Sequence, residues 1–177
     1  MDEYLAPAAA NDWTQTLQRV LAEEISQLYS AETLLAKALP KMLEAARDGG
    51  LKFICQVLEI QTGEHILRLN QIINLAQLPY TETTSLAIEG LLIGIAETIE
   101  ENSPGQARDL SLIDAALKIS HYQVTSYCCA RDFATLLEFD NVMLSLQKTI
   151  DDETGMEASL ANLAEFIYST AITEALK

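Results

Sequence analysis

A glutamate stands where a helix of this kind should carry an apolar residue. Leu17–Met42 reads LQRVLAEEISQLYSAETLLAKALPKM, in which Leu17, Leu21, Leu28, Leu35 and Leu39 recur at the spacing of one helix face. Glu32 follows Leu28 by four residues and precedes Leu35 by three, so it shares that face. A carboxylate turned toward a core must be paired, protonated or bound to a metal. The fold must therefore bring other polar groups to Glu32 inside the molecule.

The rest of the chain reads as helices. Only 4 prolines and 7 glycines punctuate it, which suits long helices with few turns, and no strand alternation stands out. Asp12, with Gln15 at the box position, is a plausible N-cap for the first helix. That helix should run to about Arg47 and end at Asp48-Gly49-Gly50, with Pro40 loosening the turn near Ala36. Residues 1–11 are expected to form a loose arm, and residues 12–177 a single bundle. A second helix is predicted from Leu51 to Leu78, with the stripe Leu51, Ile54, Leu58, Gln61, His65, Leu69, Ile72 and Ala76. A short helix from Leu86 to Glu101, capped by Thr84 or Ser85, ends at Ser103-Pro104-Gly105. The third long helix spans about Ala107 to Leu137, with Leu110, Ile113, Leu117, His121, Val124 and Cys128 as its stripe and Ser120 and Tyr127 alongside. The fourth, capped by Asp140 or Asn141, carries Val142, Leu146, Ile150, Glu153, Glu157, Leu160, Ala164 and Ile167. Gly155 weakens it by about 1 kcal/mol relative to alanine, and would let a neighbour approach closely.

Two helical hairpins are thus joined by a segment of about 28 residues, long enough to cross a bundle. Short, long, short is the connection pattern of a ferritin-like fold. The expected fold is all-α: a ferritin-like four-helix bundle whose long crossover carries a short extra helix.

The polar intrusions into the four stripes lie near the middle of each long helix: Glu32, His65, His121, and Glu153 with Glu157. Helices of similar length put these at one level, together with both histidines of the chain. Two readings follow. The layer binds one or two metal ions, for which carboxylates and imidazoles suit iron or manganese. Alternatively, the glutamates pair with the histidines and with Tyr29, Gln61 or Tyr122, which fixes helix register without metal.

Charge and cysteine content exclude several function classes. A net charge of −15 opposes nucleic acid and anionic membranes as partners. The most apolar segment, Leu86–Ile99, holds two glutamates and is too short to span a bilayer, so no membrane association is expected. The N-terminus does not read as a signal peptide, and Cys55, Cys128 and Cys129 read as buried thiols rather than a disulfide framework, which points to the cytoplasm. No nucleophile–base triad, phosphate loop or zinc-ligand spacing is visible.

Several segments resemble the YciE/YciF-type ferritin-like stress proteins. They are LYSAETLLAKALPKM around Glu32, IEGLL at Ile88–Leu92, RDLSLIDAALKISHYQVTSYCCAR around His121-Tyr122 and Ser126-Tyr127, and IDDET at Ile150–Thr154. The resemblance covers about residues 15–165 in order. It implies a ferritin-like dimer with a core site like that of di-iron carboxylate proteins and a role in stress response. Carried over, Glu32 matches the acid of the first helix, His65 a position often held by histidine or glutamine, His121 the third-helix histidine and Glu153 the second acid of the last helix. The departures bear on chemistry. Gln61 stands where the family has glutamate, and Ser120 and Gln123 stand where it has acids. Thr62 precedes His65 by three and Met156 follows Glu153 by three, so neither Glu-x-x-His motif is intact.

The candidate metal ligands are therefore Glu32, His65, His121, Glu153 and Glu157, with one ion at most, or none, expected there, iron and manganese being the metals such a layer suits. The first functional expectation is a stress-associated protein with a degenerate layer and a binding or structural role. The second is a di-iron or di-manganese oxidoreductase acting on peroxide or Fe(II), near which Tyr29, Tyr122 and Tyr127 stand as redox candidates. The third is a dimeric interaction module that uses the apolar crossover helix.

Overall fold

The computed structural model describes residues 7–175 and contains five helices. They are α1 (Pro7–Ala45), α2 (Gly49–Leu75), α3 (Leu86–Glu101), α4 (Gln106–Leu136) and α5 (Asp140–Ala175). The expected all-α, ferritin-like architecture is present. Among the described residues, no helix is long and apolar enough to cross a membrane.

Helix ends differ from expectation where capping does. α1 begins at Pro7, so Asp12 lies inside the helix rather than at its cap; residues 1–6 of the expected arm fall outside the described residues. Asp48 does not close α1. It caps α2, accepting from the amides of Gly50 at 2.8 Å and Leu51 at 3.1 Å. Gly49 and Gly50 are thus the first turn of α2 rather than a left-handed stop. The left-handed positions fall on Gln77 (φ 50°) and Glu138 (φ 58°) instead. The next residue after each, Leu78 or Phe139, returns its amide to a carbonyl five residues back, at Ile73 or Ala134. These are Schellman-type ends with an apolar residue tucked in behind. No heavy atom would lie within 4 Å of a Cβ at Gly155, so the close approach expected there does not occur.

Hydrogen bonds set the topology. The Asp109 carboxylate, in the first turn of α4, accepts from the amides of Arg47 (2.9 Å) and Asp48 (2.8 Å) in the α1–α2 turn. Arg108 donates to the Ala45 carbonyl at the end of α1. The start of α4 therefore meets the end of α1, and these helices run antiparallel. By residues 81–85 the crossover lies beside the middle of α1, where Ser26, Gln27 and Ser30 bond to Thr81, Thr83 and Ser85. α3 then follows the second half of α1 to the start of α4, packed on both helices. Around the bundle the order is α1, α2, α5, α4.

The core has two apolar halves. One gathers Leu39, Met42, Leu51, Ile54, Leu112 and Leu160. The other gathers Leu21, Ile25, Leu69, Ile72, Tyr127 and Leu146. A layer of buried polar side chains separates them.

Candidate metal centre and its hydrogen-bonded layer

The layer is built by Glu32 of α1, His65 of α2, Ser120, Gln123 and Tyr127 of α4, and Glu153 of α5, all buried. Glu32 Oε1 accepts from the Tyr127 hydroxyl at 2.7 Å and lies 3.1 Å from His65 Nδ1. Glu153 Oε1 lies 3.4 Å from the same nitrogen, and its Oε2 accepts from the Ser120 hydroxyl at 3.0 Å. One imidazole edge thus sits between two carboxylates, each of which already takes a hydroxyl proton. The Tyr127 and His65 rings meet edge to face with centroids 6.2 Å apart.

A second group adjoins it. Arg68, one turn along α2, donates to the Thr149 hydroxyl and to Asp152 Oδ2, the latter at 3.2 Å. His65 Nε2 faces that same Asp152 oxygen at 3.6 Å.

Glu32, Asp152 and Glu153 bring three carboxyls to the cluster, against the Arg68 guanidinium and the His65 imidazole. Burial, and then the neighbouring Glu32 charge, push Glu153 up to about 7, while His65 and the Ser120 bond oppose that rise. For His65, burial favours the neutral ring. The Glu32 hydrogen bond and the charges of Glu32 and Glu153 outweigh burial, so its pKa rises. Burial and the adjacent Glu32 drive Tyr127 well above the usual phenol range, so it remains a hydroxyl donor.

Three of the five residues singled out in the sequence come together: ligand atoms of Glu32, His65 and Glu153 lie within 4.8 Å of one another. His121 and Glu157 do not join them. His121 has 65 % of its side chain exposed and pairs with Glu157 at 3.2 Å on the surface. The cause is a rotation of the expected α4 stripe. The inward face is Ile113, Ala116, Ser120, Gln123, Tyr127 and Ala130, about one residue away from the predicted one, and Ser120 takes the inward place expected for His121. Gln61 is half-buried and Thr62 takes the inward place beside it. Tyr127 is the tyrosine that reaches the carboxylates, and Cys129 is exposed rather than buried. Arg68 and Asp152 were not anticipated. Their signal was positional, since Arg68 follows His65 by three residues and Asp152 precedes Glu153.

A model of the family described as "Domain of unknown function (DUF892)" matches residues 16–173. The chain belongs to the DUF892 family. It is 29% identical over 151 residues to Protein YciF of Escherichia coli K12, a match that covers 85% of this chain and 91% of YciF. Against the crystal structure of the E. coli stress protein YciF the TM-score is 0.84, with 28% identity over 86% of this chain and 97% of that one. YcfI from Rhodopseudomonas palustris superposes with a TM-score of 0.75 and 25% identity, covering 82% and 92% of the two chains.

A two-metal carboxylate centre in a ferritin-like bundle draws a glutamate from each of two helices and a Glu-x-x-His pair from each of the other two. This DUF892 chain buries two glutamates and one histidine at that level, with Ser120 and Gln123 on α4 supplying no carboxylate. The donor set does not fit two ions. It fits one: the 3.1 and 3.4 Å separations between Nδ1 and the two carboxylates are also the edge lengths expected for ligands about 2.1 Å from a shared ion. Glu32 Oε2, buried and without a hydrogen-bond partner, is a free donor for such an ion. The cavity beside Ser120, Gln123 and Glu153 measures about 10 Å³, room for one water and not for an organic substrate.

Proposed function

We propose that this DUF892 protein is a stress-associated ferritin-like protein with a structural or binding role. Its mid-bundle layer is held by shared protons and takes at most one metal ion. The association with stress follows from the kinship with YciF, described as a stress protein. One observation carries the rest: both buried carboxylates already accept a hydroxyl proton, from Tyr127 and Ser120, and flank a single imidazole. These contacts tie α1, α2, α4 and α5 together in one register, although Glu32 Oε2, His65 Nε2 and Gln123 Nε2 stay buried without a hydrogen-bond partner. The layer lacks the negative charge that would hold two iron or manganese ions as an oxidoreductase acting on peroxide or Fe(II) requires.

The second reading is a mononuclear site of Glu32, His65 and Glu153, favoured by the 4.8 Å clustering of their ligand atoms. A bound divalent ion would supply positive charge in place of the His65 proton. The test is metal analysis of protein loaded with Fe(II), Mn(II) or Zn(II) and freed of excess, alongside Glu32→Ala. The proposal expects no more than one ion per chain and no Fe(II) oxidation above the buffer rate. Two ions per chain, lost in Glu32→Ala, would overturn it.

A further inference from the structure

Where α3 ends and α4 begins, a buried cation has no anion beside it. Arg108 is 8 % exposed. Its terminal nitrogens donate to two neutral carbonyls, that of Ala45 at the end of α1 and that of Asn102 just past α3, the latter at 3.4 Å, and its Nε has no partner. Among the described residues no carboxylate pairs with it, and Asp109, next in sequence, is engaged by the Arg47 and Asp48 amides. Buried charges are ordinarily paired, and a guanidinium has more N–H donors than these two carbonyls occupy. Arg108 borders a cavity of about 500 Å³, walled also by Lys41, Glu44, Ile99 and Glu100. Lys41, Ala96 and Ile99 wall a second space as well, of about 260 Å³, so the two adjoin along one groove between α1 and α3. The second space is apolar, lined by Leu34, Ala38, Leu92, Ile93 and Ile95, with the exposed Lys37 and Glu89 at its edge.

We propose that this groove binds a fatty acid of medium or long chain. Its carboxylate takes the charged end, against Arg108 and Lys41, and its alkyl chain lies along Leu34, Leu92 and Ile95. An apolar wall with a few polar groups gathered at one end is the usual make-up of a small-molecule site. From Leu34 to Lys41 the groove follows about 10 Å of helix, room that an inorganic anion would leave unfilled. The charges favour an anion at the floor. Glu44, Glu89 and Glu100 offset Lys37, Lys41 and Arg108 in number, so the groove is neutral on a chain of net charge −15. All three acids are exposed and screened by water and salt, whereas Arg108 is buried and acts through a lower dielectric. Neither lysine has a carboxylate partner among the described residues. The groove is separate from the mid-bundle layer, so neither reading depends on the other.

Isothermal titration of the full chain with dodecanoate, below its micelle concentration, tests the proposal. One dodecanoate should bind per chain, and inorganic phosphate should not displace it. Lys41→Glu turns an attraction into a repulsion and should weaken binding by about tenfold or more, whereas Lys148→Glu, the same change of net charge on α5, should leave it nearly unaltered. Octanoate, with less apolar surface to bury, should bind about tenfold more weakly. Dodecanol, which lacks the charge, should also bind more weakly, and Ala96→Trp should fill the groove and block dodecanoate. Glu100→Gln removes an opposing charge and should tighten binding. No binding to the wild-type chain, equal losses in Lys41→Glu and Lys148→Glu, dodecanol bound as tightly as dodecanoate, or displacement by phosphate would overturn the proposal. So would a dimer in sedimentation that Ile93→Glu dissociates, since a second copy would then cover the groove.

Discussion

Replacing Glu153 by glutamine should flatten the pH dependence of stability. In the folded protein Glu153 keeps its proton up to about 7, whereas an unfolded chain releases it near the ordinary value of 4.5. Between those values the folded state binds more protons than the unfolded state, so stability falls as pH rises. His65, whose pKa is also raised, adds to the same fall as pH passes through its folded value. At about 1.4 kcal/mol per pKa unit, the Glu153 part amounts to about 3 kcal/mol at most, because an ionised layer can rearrange to relieve some of it. Glutamine copies the neutral acid and can still accept from the Ser120 hydroxyl, which now meets Glu153 Oε2 at 3.0 Å. Urea unfolding at intervals from about pH 4 to pH 8 reads the effect. Wild type and Glu153→Gln should match near pH 4, below the unfolded value, and the variant should be the more stable by one to a few kcal/mol near pH 8, in line with that ~1.4 kcal/mol per unit. A variant equally destabilised at both ends would refute the reasoning, since it would mean that Glu153 is needed as a carboxylate.

Other parts of the structure give further expectations. Tyr127→Phe removes the hydroxyl that donates to Glu32 at 2.7 Å and should lower stability by about 1.5–3 kcal/mol in urea unfolding, the usual range for a hydrogen bond to a charged group. Asp109→Ala leaves the Arg47 and Asp48 amides without their acceptor; it should cost about 1–3 kcal/mol and speed hydrogen exchange at both amides. Glu138→Gly relieves a left-handed residue at φ 58° and should raise the midpoint of thermal unfolding, by the equivalent of about 1 kcal/mol or less.

The residues reveal the bundle more fully than they reveal the site. Connection lengths and stripes were enough to place five helices and the crossover, because long helices with few breakers leave little else to form. Glu32 was legible as a buried acid because α1 has one narrow, continuous leucine face. α4 was harder to read. It packs against α1 and α5 on one side and carries α3 on another, so it needs apolar residues over a wide arc. Leu110 and Leu117 are half-buried beside the core, and following them swung the expected stripe onto His121. At its middle the true inward face is Ala116, Ser120 and Gln123, small or polar residues that a search for apolar periodicity passes over. Arg68 and Asp152 escaped for a related reason: an arginine reads as surface until the acid that pairs with it is known to lie opposite.

The central claim is that protons, not a pair of metal ions, hold the Glu32–His65–Glu153 layer together. The most direct measurement is NMR of the imidazole nitrogens of His65 and the side-chain carboxyl carbon of Glu153, followed through neutral pH with and without added Fe(II) or Mn(II). The account predicts both His65 ring nitrogens protonated at neutral pH, with the Glu153 carboxyl titrating near 7. A His65 Nδ1 without its proton, and a Glu153 carboxylate ionised throughout that range, in protein that carries two ions per chain would contradict it.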